Sequence, residues 1–298
     1  MRFCPPATSF ATISFSALAL AAAFALPAVA ADAPQPEARA FTLGKLELVA
    51  LHDAQFTPAN DGKTFGVDAG TDAVADVLKA AGAPTDVITL SVDALLVKDG
   101  KHIVLIDTGV GGALQGSLAL AKVDPAKVTD ILITHSHGDH VGGLVKDGQL
   151  AFPNAVIRMS AAEWTFMQAD ADSAAIVKVI AGHVRPFLPG GVVAPGITSI
   201  AIKGHTPGHT GYEISSGKAR LLDIGDTAHS SIVSLAKPQW IMGYDADKEA
   251  GCASRIAVLT RLSRSHEMVF APHFPFPGVG QVEAEGDHFV WKPAVSAQ

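Results

Sequence analysis

Short apolar runs bounded by Gly, Pro and Asp recur along this chain, and most are too short for helices. Residues 90–97 and Ile103–Ile106 are rich in β-branched side chains and flank the turn dipeptide Asp99-Gly100. Residues 131–134, 155–159, 197–202, 212–215, 221–224 and 268–271 predict further strands, and 41–51 alternates loosely as another. Elsewhere a period near 3.6 takes over. Val74, Val77, Leu78 and Ala81 share one face of a helix predicted over 71–81, which Thr71 can cap and which Gly82 and Pro84 stop. Helices are also predicted over 161–169, 174–182 and 247–265, and an edge hairpin or tail over 281–291. No repeat, charge run or low-complexity block interrupts residues 41–298, so one continuous domain of sheets covered by helices is expected there.

Residues 1–30 read differently. Arg2 precedes an Ala-rich apolar stretch, and Ala28-Val29-Ala30 has the small-x-small form of a secretory cleavage site. The expectation is a removed leader, a short extended linker over 31–40 with Pro34 and Pro36, and a periplasmic protein with no stable membrane anchor. Hydrophobic residues make up 48% of the chain and charged ones 17%, which supports a large core and argues against disorder. Losing Arg2 from 22 basic residues, against 29 acidic ones, leaves a mature net charge of −8. That argues against a nucleic-acid partner, and a small-molecule substrate is expected. Cleavage also removes Cys4, so Cys252 has no partner for an intrachain disulfide and is expected as a buried thiol on the last helix. A homodimer stays open.

The chemistry concentrates at strand ends. Residues 131–134 deliver His135-Ser136-His137-Gly138-Asp139-His140 into the loop that follows. His135 and His137 alternate in an extended loop, point the same way and can reach one metal. Gly138 permits a sharp turn after which Asp139 and His140 can serve a second. Imidazole and carboxylate donors without Cys suit Zn²⁺, with Mn²⁺, Co²⁺ or Fe²⁺ as alternatives. Downstream, His205 and His209 in Gly204-His-Thr-Pro-Gly-His, Asp226 after Gly225, and His273 each follow a short apolar strand. Loops on one rigid sheet edge can converge on a single site.

These motifs, with Asp107-Thr108-Gly109, resemble those of the metallo-β-lactamase-fold hydrolases, over residues from about Phe41 to Pro293. The resemblance implies an α/β fold, an αββα sandwich of two mixed β-sheets flanked by helices. It implies two divalent metals: His135, His137 and His209 on the first, Asp139, His140 and His273 on the second, and Asp226 bridging both. His209 is preferred over His205 because Pro207-Gly208 would set the turn that presents it. Asp107 and His205 would then orient ligands from behind. Within the superfamily the stretches His140-Val-Gly-Gly-Leu144, Gln149–Ala155, His205–Thr210 and Phe276–Gly280 are most similar to the methyl parathion hydrolase-like and lactonase branch.

That likeness implies attack by a metal-shared hydroxide, with Asp226 and Asp139 central to catalysis, on a lactone or aryl ester. Phosphotriester hydrolysis is the alternative on the same site. A β-lactamase, a thiolesterase and a non-catalytic secreted binding protein rank lower: Asp226 argues against the first, the leader against the second, and the complete ligand set against the third. Leu114, Trp164, Phe166, Met167, Phe274, Phe276 and His229 are the candidate pocket residues. Leu114 and Met167 are aliphatic where phosphotriesterases place aromatics, which tips the expectation toward lactones and esters.

Overall fold

Gly44, at φ 60°, splits the first apolar run into a hairpin. Strands β1 (Ala38–Leu43) and β2 (Leu46–Phe56) pair antiparallel, with Leu43 opposite Leu46. The computed structural model describes residues 34–294; the expected leader lies outside them. The described residues belong to one compact unit. The expected linker is instead attached to that unit. Residues from Ala38 already pair with β2, and the Glu37 N–H donates to Ser117 Oγ at 3.0 Å. Pro34 and Pro36 face Gly112 and Gly116 closely enough that a Cβ on either glycine would collide or crowd.

The first sheet runs β1-β2-β3-β4-β5-β8, with β3 at Leu90–Lys98, β4 at Ile103–Ile106, β5 at Asp130–Leu132 and β8 at Val156–Arg158. It is antiparallel up to β4 and parallel from β4 to β8. A small ribbon of β6 (Val145–Lys146) and β7 (Gln149–Leu150) stands apart. The second sheet runs β15-β14-β13-β12-β11-β10-β9. Its strands are β9 (Val192–Ala194), β10 (Ile197–Ala201), β11 (Thr210–Ser216), β12 (Ala219–Asp223), β13 (Met268–Phe270), β14 (Val279–Glu285) and β15 (His288–Pro293). Only β12 and β13 pair in parallel, and the chain between them must cross over. The predicted tail at 281–291 is the β14–β15 edge hairpin.

Period-two alternation explains the layering. On β3, Leu95 and Val97 face the second sheet, in a cluster with Tyr212, Ile214 and Phe270. Ala94 and Leu96 face the other way, toward helices α2 (Leu114–Leu120), α3 (Gly138–Val141), α4 (Ala161–Ala169) and α5 (Ala174–Ile180). The outer face of the second sheet packs Leu222 and Val269 against Leu259 and Leu262 of α7 (Lys248–Ser265) and Leu235 of α6 (Val233–Ala236). Helix α1 (Thr71–Ala80) buries Val74 and Leu78 in a separate cluster with Phe65 and Met242. This is the expected αββα sandwich of mixed sheets.

Local departures have local causes. Gly70, not Thr71, stands at the N-cap of α1. Helix α2 is not predicted from the sequence: with seven residues it is too short for the i, i+4 spacing of Leu114 and Leu118 to stand out. Asp247 caps α7 by accepting from Ala250 N at 3.0 Å. Cys252 is half-buried, its Sγ 3.3 Å from the Gln239 carbonyl, so it is not the core thiol expected. Among the described residues, no helix is long and apolar enough to cross a membrane.

Candidate metal centre

Two loops and one strand of the first sheet meet three loops of the second at one edge of the sandwich. The first carries Asp107 after β4, His135–His140 after β5, and Asp53 within β2. Asp53 accepts from the Val110 and Leu114 N–H groups at 2.7 and 2.8 Å and so pins the turn after Asp107. The second contributes His205 and His209 before β11, Asp226 after β12 and His273 after β13.

Three overlapping donor groups form there, and the third, Asp226, His229 and His273, shares its members with the other two apart from His229. His135, His137, His205 and Asp226 offer ligand atoms that all lie within 4.8 Å of one another, and so do Asp139, His140 and His273. In the first, His135 Nε2 lies 3.0 Å from His137 Nδ1 and 3.2 Å from His205 Nε2, and His205 Nε2 lies 3.0 Å from His137 Nδ1. In the second, His140 Nε2 and His273 Nε2 stand 3.1 and 3.0 Å from Asp226 Oδ1. Asp139, the most open member, puts Oδ2 at 3.6 Å from His273 and 3.9 Å from His140. Asp226 joins the groups, because its Oδ2 faces His135 at 3.5 Å and His205 at 3.2 Å.

The donor set fits divalent cations. Buried ring nitrogens face one another at hydrogen-bond distance, and three neutral imidazoles cannot all satisfy such a contact with single protons. His140 Nε2 and Asp226 Oδ1 are buried without a hydrogen-bond partner. A buried orphan costs about 1–3 kcal/mol unless something accepts it. Burial and like-charged neighbours hold His135 well below its ordinary pKa, which favours the neutral ligand form. Asp226 is buried, yet the surrounding histidines hold its carboxyl well below the usual range.

The other nitrogen of each ring is held from behind. His140 Nδ1 donates to Asp107 Oδ2 at 2.7 Å, and Asp107 also accepts from Thr134 N and Oγ1 at 2.8 and 2.7 Å. His273 Nδ1 donates to the Ser91 carbonyl at 2.7 Å. His205 Nδ1 faces Asp245 Oδ1 at 3.1 Å, and Arg255 holds the other Asp245 oxygen at 3.3 Å. Burial opposes a proton on His205, but Asp226 and Asp245 outweigh it and push its pKa up to about 9. A cation among the same donors would relieve the same excess of negative charge.

His209, expected as a ligand, is corrected by this geometry. Its Nδ1 donates to the Ile202 carbonyl at 3.1 Å and its Nε2 accepts the Asp226 backbone N–H at 3.0 Å, so neither nitrogen is free. The Thr-Pro-Gly turn does reverse the chain, but it leaves His205 in the cluster and sets His209 at the foot of β11. His205, expected only to orient the loop, takes the vacated role. Burial lowers the His209 pKa to about 3, as suits a neutral acceptor.

Glu163 was not anticipated. It lies on α4, fully buried. Oε1 accepts from Ser136 N and Oγ, both at 2.7 Å, and Oε2 accepts from Thr206 Oγ1 at 2.6 Å and Gly208 N at 3.1 Å. One carboxylate thus ties the histidine cluster to the His205 loop. The only signal was Ser160-x-x-Glu163, which reads as a capping box; Ser160 does cap α4, but the carboxylate crosses to the loops. Gly208 passes so close to α4 that a Cβ would lie 2.2 Å from Glu163 N. Asp245 and Ser91 were likewise invisible, since their roles depend on distant chain segments.

Above the cluster lies a cavity of about 780 Å³. Its apolar wall is Phe56, Pro58, Leu90, Val110 and Tyr244, none of them anticipated. Of the expected pocket residues His229 lines it, with Nε2 3.0 Å from Asp226 Oδ2 and both ring nitrogens free of hydrogen bonds. Phe166 lines a neighbouring cavity. The others are corrected. Leu114 and Met167 are core residues, and Trp164 packs against that core. Phe274 is fully buried, edge-on to Trp291, and Phe276 packs between the sheets beside His52. Their apolarity was a core signal.

The family model described as the metallo-beta-lactamase superfamily matches residues 87–273. Two solved structures are similar along most of the chain. AidC, a dizinc quorum-quenching lactonase in complex with a product, N-hexanoyl-L-homoserine, is 28% identical with a TM-score of 0.83, covering 88% of this chain and 99% of its own. The hydrolase AbOPH of the beta lactamase superfamily is 28% identical with a TM-score of 0.81 over the same shares. Among curated proteins, the uncharacterized protein YobT of Bacillus subtilis is 29% identical over 41% of this chain and 56% of its own length. A hydroxyacylglutathione hydrolase of Yersinia pestis is 33% identical over 46% of this chain and 47% of its own. The chain therefore spans about half the length of the curated relatives it matches.

Proposed function

The chain belongs to the metallo-beta-lactamase superfamily, and from that premise we propose that it hydrolyses lactones or aryl esters with two divalent ions, Zn²⁺ in the first instance. In this reading His135, His137 and His205 hold one ion, Asp139, His140 and His273 the other, and Asp226 spans both. The observation that carries it is the division of Asp226: Oδ1 toward His140 and His273, Oδ2 toward His135 and His205. Bound ions would acidify a water and polarise a carbonyl, which is the chemistry ester cleavage needs.

The chain's own groups do the rest. Asp107, Ser91 and Asp245 fix which ring nitrogen of His140, His273 and His205 points inward. Phe56, Leu90, Val110 and Tyr244 dry the space beside the cluster, which strengthens every charge interaction inside it. His229, held mostly neutral by burial with a pKa of about 4, can offer a hydrogen bond to a substrate oxygen. The lactonase likeness of AidC supports the lactone arm of the proposal. Phe56 and Tyr244 offer the aromatic surface that the sequence had not revealed, and this favours an aryl phosphotriester as the second reading. The expected leader supports action in the periplasm on a small molecule.

Metal content of the purified protein, followed by a panel of dihydrocoumarin, N-acyl homoserine lactones, phenyl acetate, an aryl phosphotriester, a hydroxyacylglutathione and nitrocefin, tests this directly. Two equivalents of metal and fastest turnover of a lactone or aryl ester are expected. Asp226→Asn should lose metal and activity together. Full turnover in that variant, or preference for nitrocefin, would sink the reading.

A further inference from the structure

His229 is only 1% exposed, and neither of its ring nitrogens has a hydrogen-bond partner. Its Nε2 stands 3.0 Å from Asp226 Oδ2, yet no hydrogen bond joins them. The neighbouring rings are placed differently: His140, His205 and His273 are each held through Nδ1 by Asp107, Asp245 and the Ser91 carbonyl. A buried imidazole unpaired on both sides is costly, and a cation can satisfy the lone pair of one nitrogen.

The donors for such a cation are at hand. His229, Asp226 and His273 offer ligand atoms that lie within 4.8 Å of one another. The His229 and His273 rings are stacked, with planes 6° apart and centroids 5.3 Å apart. All three residues line the cavity of about 780 Å³, whereas His140 of the Asp139 group does not. The two groups share His273 Nε2, which has one lone pair, so they cannot both be filled. The Asp139–His140–His273 group gains Asp226 Oδ1, 3.1 and 3.0 Å from its two histidines. That makes four protein donors, the number that closes a zinc site. The His229 group has three, all on the cavity wall, the number that leaves a position open.

We propose that Asp226, His229 and His273 form an alternative seat for the second ion, open to the cavity, beside the seat made by Asp139, His140 and His273. The proposal rests on the two-ion reading above and makes His229 a metal donor. His229 lacks the backing hydrogen bond that orients the other rings, so this seat is the weaker by roughly 10–100-fold in affinity. Without that bond the ring is also free to release the ion and serve a substrate oxygen.

The test is equilibrium dialysis against Zn²⁺ of wild type, Asp139→Ala, His229→Phe and the double variant. Phe keeps a ring to stack on His273 and removes both nitrogens. Wild type should hold two equivalents, and His229→Phe should bind the second as wild type does. Asp139→Ala should keep the second ion at an affinity lowered roughly 10–100-fold, and the double variant should bind it at least about tenfold more weakly again. Should the double variant not fold, Asp139→Ala with His229→Ala repeats the comparison. Outright loss of the second ion in Asp139→Ala overturns the alternative seat alone. So does less than a tenfold step from Asp139→Ala to the double variant, or an equal step from wild type to His229→Phe. Fewer than two equivalents in wild type overturns the two-ion reading and the seat with it.

Discussion

His205 and His209 flank one Thr-Pro-Gly turn and meet the metal centre in opposite ways. His205 offers Nε2 to the cluster, while His209 spends both nitrogens on backbone groups. The two substitutions should separate cleanly. His205→Ala removes a donor, so metal content should fall and activity drop by more than the roughly 10–100-fold typical of a supporting residue. His209→Ala leaves the buried Asp226 N–H without an acceptor, costing about 1–3 kcal/mol of stability while the donor set stays complete. Metal analysis and thermal melting of the pair check this, and the reverse pattern would restore His209 as the ligand. The sequence named both histidines but could not rank them. A turn signal says that the chain reverses, not which flank faces the cluster, and that depends on β11 starting at Thr210.

At the scale of elements, strands position donors and one helix locks the loops. The termini of β4, β5, β12 and β13 were legible because apolar runs end abruptly at chemistry-bearing residues. Helix α4 was legible too, with the same bounds as predicted, yet its role was not. Glu163 holds Ser136, Thr206 and Gly208 together only because α4 packs against both loops. Glu163→Gln turns an amide N–H₂ toward at least one of these donors. The expected result is a loss of about 1–3 kcal/mol in stability and metal binding weaker by roughly 10–100-fold, read by melting and by metal titration. Unaltered metal affinity would make Glu163 a fold residue alone. The aromatic residues misread as pocket walls belong to this scale. Phe274 follows a ligand directly, but the chain turns after His273 and drives the ring into the core under β15.

Across the whole molecule, the two sheets meet behind the metal edge through β3. Ser91 N and Asp93 N donate to the His273 and Pro272 carbonyls at 3.2 and 3.1 Å, so a strand of one sheet holds the ligand loop of the other. Asp93 is in turn paired with His52 at 2.8 Å and with Ser91 Oγ at 2.8 Å. The Asp93 hydrogen bond raises the His52 pKa above its ordinary 6.5 against the cost of burial, while burial pushes Asp93 up to about 6. Both shifts favour protons in the folded state, so this stabilisation is complete below the ordinary values and is lost as pH rises through the folded ones. The melting temperature should therefore fall as pH rises from 3.8 to about 6, where Asp93 loses its proton, and again above 6.5, where His52 does, and Asp93→Asn should flatten that fall. An identical pH slope in the variant would remove the pair from the account. By itself, the sequence determined the family, the layered α/β fold and the residues among which the metal ligands are found, because strand-end loops and short His/Asp spacings are local properties. Only the tertiary structure decided which histidine turns inward, which carboxylate joins the loops and which apolar side chains face a cavity. Those are questions of direction, set when distant segments pack and each ring nitrogen and carboxylate oxygen must find a partner.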